Sequence, residues 1–141
     1  YEILYRLVGS EMCIRDSDYI QKSKNILKSV GNYVYENLKS NDVLINKPQG
    51  GFYLMPEFVG KKFNSSSEMC KDILEKTGVA LLPGSDFGFK ENKLLARLSF
   101  TDFDGKNFME KTHNEKLDNQ TIKNFAPKVV EGVNRLKNWS K

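Results

Sequence analysis

Over residues 18–38 apolar side chains return every three or four positions: Tyr19, Ile20, Ile26, Leu27, Val30, Tyr33, Val34 and Leu38. That period marks one face of an α-helix, so the stretch predicts a single rod about 30 Å long carrying an apolar stripe. A stripe of that kind is expected to cover one face of a small sheet. Ser40-Asn41-Asp42 supplies the turn chemistry that ends the rod. The period then changes. Val43-Leu44-Ile45 predicts a short strand, Lys47-Pro48-Gln49-Gly50-Gly51 a turn, and Phe52-Tyr53-Leu54-Met55 a second strand rich in aromatics. Pro56 closes that strand, because proline has no N–H to donate to a ladder.

Ser65-Ser66-Ser67-Glu68 has the spacing of a capping box, and a helix is expected after it, with Met69, Ile73 and Leu74 inward and Gly78 as its stop. Val79-Ala80-Leu81-Leu82 predicts a third strand, broken by Pro83-Gly84, and Asp86-Phe87-Gly88-Phe89 a loop with a glycine hinge. Residues 94–100 predict a fourth strand. Residues 101–118 are polar and weakly periodic, so they are expected as a loop or insertion. Ile122, Phe125, Val129, Val130, Val133 and Leu136 then recur at helical spacing, and Pro127 fits only at the start of the last helix, after a short turn. The fold expected is α/β: a small mixed or antiparallel sheet of about four short strands covered by helices.

Residues 1–17 fit this scheme poorly. Gly9 to Ser17 sets up neither capping nor strand logic, and the string from Ser10 to Asp16 resembles a translated sequencing adapter. Residues 1–17 are therefore expected to be non-native or irregular, with the domain occupying 18–141, and Cys13 carries no functional weight.

At 141 residues, 39% of them apolar and 28% charged, the chain has the makings of one globular domain. No apolar run approaches the roughly 20 residues that span a bilayer, and no signal peptide is visible, so a cytoplasmic protein without membrane contact is expected. Two cysteines, Cys13 and Cys70, are too few for a disulfide framework. The net charge of +4 is spread along the chain through lysines such as Lys22, Lys39, Lys47 and Lys61. Such a distribution predicts a solvated surface and not a nucleic-acid-binding face.

One residue stands out. Arg97 interrupts the apolar strand Leu94-Leu95-Ala96-Arg97-Leu98-Ser99-Phe100, where alternation puts Leu95, Arg97 and Ser99 on one face and Ala96, Leu98 and Phe100 on the other. Such an arginine is either a residue on a wet sheet face or a planar fork at a cleft edge, able to pair with a carboxylate through two parallel hydrogen bonds. The other candidates are weaker. Neither Gly50-Gly51 nor Pro83-Gly84-Ser85-Asp86-Phe87-Gly88 matches a phosphate-binding loop. Asp102-Phe103-Asp104-Gly105 would put Phe100 and Lys111 at calcium-ligand positions, so no metal site is expected. His113 has no partner at metal spacing, and no histidine is positioned by any motif to activate Ser85 or Ser99.

Three motifs in fixed order sharpen the reading of Arg97. Lys47-Pro48-Gln49-Gly50-Gly51-Phe52-Tyr53 resembles the K-P-x-G-[GA]-F-Y segment of class I/II aminotransferases, which depend on pyridoxal phosphate. Residues 78–88 are similar to their G-V-x-x-x-P-G-x-x-F-G segment, and Ala96-Arg97-Leu98-Ser99-Phe100 to their closing L-R-[LI]-S-[FY] strand. Asp18-Tyr19-Ile20 is similar to the start of the helix leading into their small domain. The resemblance covers most of the chain, from about Asp18 to Trp139.

It implies the C-terminal small domain of the fold-type-I architecture, which closes over an amino-acid or 2-oxo-acid substrate. By motif position it implies that Arg97 pairs with the substrate α-carboxylate. Phe52 is expected in the core, with pocket lining as the alternative. The lysine that holds pyridoxal phosphate as a Schiff base, the acid facing the pyridine nitrogen and most phosphate ligands lie upstream in family members, and no segment here matches them. The resemblance therefore implies a cytoplasmic, homodimeric transaminase of amino acid metabolism, represented here by a fragment that is inactive alone and contains no catalytic or cofactor-binding residue. The alternatives are a stand-alone, non-catalytic binding or regulatory domain, and a pyridoxal-phosphate-dependent lyase or synthase of the same fold.

Overall fold

The computed structural model describes the backbone of residues 2–112 and 117–141 and, from Ser17 on, their side chains. The elements follow in the order α1 (Glu2–Leu38), β1 (Val43–Leu44), β2 (Tyr53–Leu54), β3 (Glu57–Phe58), α2 (Ser66–Thr77), β4 (Leu82–Pro83), a 3-10 turn (Gly84–Phe87), β5 (Ala96–Ser99), α3 (Gly105–Lys111), α4 (Asn119–Phe125) and α5 (Pro127–Ser140).

Where an irregular N-terminus is expected, α1 instead runs unbroken from Glu2. The segment is rich in helix formers such as Glu2, Leu4, Leu7, Glu11 and Met12, and its one glycine costs a helix only about 1 kcal/mol. The apolar stripe turns inward from Ile26, through Val30, Tyr33, Val34 and Leu38, while Tyr19 and Ile20 stay exposed. Phe100 packs so tightly on α1 that a Cβ added at Gly31 would lie 3.0 Å from its ring.

All strand pairings are antiparallel. β5 is the centre of a three-stranded sheet ordered β2-β5-β4, and β1 pairs with β3. A bridge between Glu57 and Leu95 links the two sheets. The fifth strand, β3, lies just beyond Pro56, where the sequence predicts an end. Proline cannot donate, but its carbonyl can still accept: Ala96 N–H donates to Pro56 O at 3.0 Å, and pairing resumes.

The ends of α2 match their sequence signals. Glu68 N–H donates to Ser65 Oγ at 3.1 Å, and Gly78 terminates the helix at φ +72°. Its buried arc is Ser66, Met69, Cys70, Ile73 and Thr77, which leaves Leu74, expected inward, half exposed. Within 101–118, expected to be a loop, α3 forms because Asp104 caps it, accepting from Asn107 N–H at 3.0 Å, and Phe108 is fully buried. One buried side chain leaves too little period to read. Pro127 opens α5 as expected, after the single residue Ala126.

α2 and α5 are locked at two points. Arg135 Nη1–H donates to Thr77 O at 2.9 Å, satisfying a carbonyl at the end of α2. Trp139 Nε1–H donates to Asp72 Oδ2 at 2.8 Å, and Lys76 Nζ lies 2.8 Å from the other Asp72 oxygen. The Trp139 ring meets Phe58 edge-on at 5.4 Å and stacks on Phe63 at 6.1 Å. Hydrogen bonds from Lys76 and then Trp139 hold the Asp72 carboxyl below its ordinary value of 3.8.

A carboxyl lowered on folding stabilises the native state above its unfolded value, and that contribution is lost as pH falls through the folded one. Asp72→Asn is therefore expected to destabilise the protein at pH 7, with the gap from wild type closing as the pH drops below 3.8. Urea melts of both proteins across that range check this; a gap that stays constant with pH contradicts it.

Candidate functional site

β5 is paired on both edges, and its two faces differ. Ala96, Leu98 and the following Phe100 are buried, whereas Ser99 is exposed and Arg97 half-buried. Leu95, expected beside Arg97, is buried: it lies just before the strand, in the isolated bridge to Glu57, with its N–H donating to Lys93 O at 2.7 Å. Register extends the outer face across the sheet. Tyr53 lies opposite Ser99 and Leu82 opposite Arg97, and both Tyr53 and Leu82 are exposed. Leu54, opposite Leu98, points into the core.

On this face the Arg97 guanidinium is stacked by two aromatic rings. Its carbon lies 4.5 Å from the Tyr53 ring centre and 4.2 Å from that of Phe87. Contacts of this kind contribute about 0.5–2 kcal/mol each, depending on solvent exposure. Tyr53 comes from β2 and Phe87 from the turn after β4, so the two rings reach Arg97 from opposite sides of the central strand.

The turn that carries Phe87 is held by backbone fit. Gly84 N–H donates to Leu95 O at 2.7 Å, and a Cβ at Gly84 would lie 2.9 Å from Leu95. Ser66, fully buried at the start of α2, reaches the same turn: Ser85 N–H donates to its Oγ at 3.4 Å. Gly88, at φ +83°, ends the turn.

Among the described residues no carboxylate lies within 4.0 Å of the Arg97 guanidinium, and its N–H groups have no protein acceptor. The planar fork is therefore flanked by two rings, and its N–H groups are without a protein acceptor among the described residues. That geometry suits a carboxylate arriving in the guanidinium plane.

The other sequence candidates have structural roles. Asp102 pairs with Lys128 at 3.5 Å, and Asp104 caps α3. Ser99 Oγ shares a hydrogen bond with Thr101 at 3.0 Å, and Ser85 Oγ accepts from Ser66 at 3.3 Å. His113 lies outside the described residues, as does the side chain of Cys13. Phe52, expected in the core, is exposed and tilts against Tyr53 with ring centres 4.2 Å apart. A concavity of about 390 Å³ lies elsewhere, between α5 and residues 78–81. Its rim charges pair with one another, Asp102 with Lys128 and Glu131 with Arg135.

Tyr53 and Phe87 were not singled out by sequence reasoning. The signal available was an aromatic residue in each motif flanking the arginine strand, but only the register shows that they converge.

No lysine among the described residues is buried. An amine that condenses with a carbonyl near neutral pH needs burial or a neighbouring cation to lower its pKa. Among the described residues, no lysine therefore sits in the buried setting that favours a Schiff base. No described helix is long and apolar enough to cross a membrane.

Short antiparallel strands backed by helices match a fold known from solved aminotransferases. An alanine aminotransferase from Pyrococcus furiosus superposes with a TM-score of 0.59 at 21% identity, over 88% of this chain and 25% of that one. An aspartate aminotransferase from Thermotoga maritima does so with a TM-score of 0.52 at 28% identity, over 80% of this chain and 22% of that one. The family profile "Aminotransferase class I and II" matches residues 9–110, and the chain belongs to that family.

Curated relatives include the aspartate aminotransferase of Sulfolobus acidocaldarius, 26% identical over 84% of this chain and 27% of the relative. Another is the inactive alanine aminotransferase of Saccharomyces cerevisiae, 32% identical over 65% of this chain and 20% of the relative. The chain thus spans about a quarter of the length of the relatives it matches.

Cys70 lies on the buried arc of α2. Burial, and secondarily the Asp86 carboxylate, push its thiol up to about 11 from 9.0. Only the thiolate is reactive, so Cys70 is expected to resist iodoacetamide at pH 8 in the native protein and to react once urea unfolds it. Peptide mapping checks this; native alkylation at the rate of an open thiol contradicts it.

Proposed function

We propose that this chain is the C-terminal small-domain portion of a pyridoxal-phosphate-dependent aminotransferase, in which Arg97 binds the α-carboxylate of the amino-acid or 2-oxo-acid substrate. The observation that carries the reading is the Arg97 guanidinium, flanked by two aromatic rings and without an acidic partner among the described residues, on the outer face of the central strand. Family membership supplies the reaction class. A carboxylate held at two points fixes the orientation of the substrate's Cα–H bond, so binding energy remote from the reacting bond is used for positioning.

The chemistry at that bond belongs to groups upstream of this segment in a full-length protein. Pyridoxal phosphate supplies the electron sink when bound there. By the same reading the full-length enzyme is a homodimer in the cytoplasm. A lyase or synthase of this fold would bind its substrate in the same way, and product analysis separates them.

The test uses the complete open reading frame. With cofactor, the full-length protein is expected to transaminate, and Arg97→Lys is expected to lower kcat/KM about 100-fold, because an ammonium cannot present the planar fork. The 141-residue chain mixed with pyridoxal phosphate is expected to give neither turnover nor a new visible absorption band. A full-length Arg97→Lys variant within a few-fold of wild type contradicts the carboxylate assignment, and turnover by the short chain contradicts the assignment of chemistry upstream.

A further inference from the structure

We propose that Tyr53 and Phe87 are positioning residues for carboxylate binding, fixing the Arg97 guanidinium before any ligand arrives. This rests on the reading of Arg97 above and adds what makes its fork rigid. An arginine is a long, rotamer-rich side chain, and on an exposed face it must be ordered at the expense of binding. An ion pair within the chain would order it but would occupy the N–H edge that a ligand needs. Stacking on the guanidinium faces orders it and leaves that edge free.

The rings are themselves held. Phe52 packs against Tyr53 with ring centres 4.2 Å apart, and Phe87 sits on the turn fixed by the close approach of Gly84 to Leu95 and by Ser66. Each ring is nonetheless about 40% exposed, 42% for Tyr53 and 39% for Phe87, so neither is a core residue whose loss must unfold the sheet. The Tyr53 hydroxyl has no protein partner among the described residues, which makes the ring and not the hydroxyl the working part.

The experiment is side-chain arginine NMR on the full 141-residue chain, titrated with acetate against chloride at matched ionic strength. In the wild type the Arg97 Nε–H is expected to be ordered before titration, shifted upfield by the ring currents and selectively perturbed by acetate. Phe87→Leu and Tyr53→Leu are expected to lower that order and together weaken acetate binding about tenfold. Phe87→Tyr and Tyr53→Phe, which keep the rings, are expected to preserve both properties.

If the leucine variants leave Arg97 order and acetate affinity unchanged, the positioning role is overturned while carboxylate binding stands. If acetate leaves the wild-type Arg97 unperturbed, carboxylate binding itself fails, and the positioning role with it. The wild-type upfield shift and order do not depend on any variant folding, and their absence also overturns the proposal.

Discussion

Everything in this domain depends on β5 having partners on both edges and opposite environments on its two faces. Antiparallel pairing to β2 along Leu98–Ser99 and to β4 along Ala96–Arg97 holds the strand from both edges and fixes its register. The period of two then sorts the side chains: Ala96, Leu98 and Phe100 go against the helices, and Arg97 goes to the open side. A slip of one residue would put a guanidinium into the core and Leu98 in water. Hydrophobic burial on one face thus fixes a cation on the other.

The helices pack against the opposite face of that strand. α1 lies across Phe100 at Gly31, and α5 is tied to α2 through Arg135 and Trp139. α2 in turn reaches the Phe87 turn through Ser66. A continuous set of packed and hydrogen-bonded groups therefore links the C-terminal helix to one of the two rings beside Arg97. Charge follows the same division. Asp72, Lys128 and Glu131 are paired on the helical side, and Arg97 keeps its edge free on the sheet side.

Much of the fold was legible in the sequence, because local chemistry dictated it. Ser65 and Gly78 bound α2, Pro127 opens α5, and alternation around Arg97 assigns the correct faces from Ala96 to Phe100. The misreadings share a cause. Tyr19 and Ile20 carry the helical period but find no surface to cover them within this chain, and Phe52 is aromatic yet lies on the open side. Period and hydrophobicity say that a residue can be buried, not that a partner is present. α3 shows the reverse, a helix held by the single buried Phe108 and a cap. Arg97 itself was found through its motif. The two rings beside it were not, since the diagonal contact of Tyr53 depends on strand register and that of Phe87 on how the turn after β4 folds back, neither of which a local pattern encodes.

The order of these parts along the chain has a consequence for how such a site is inherited. Tyr53, Gly84, Phe87 and Arg97 are consecutive components of one uninterrupted stretch, with α2 folded between them as their support. A gene crossover on either side of that stretch transplants the cation together with both flanking rings and the scaffold that aligns them. The stretch is then inherited as one unit, whatever lies on either side of it.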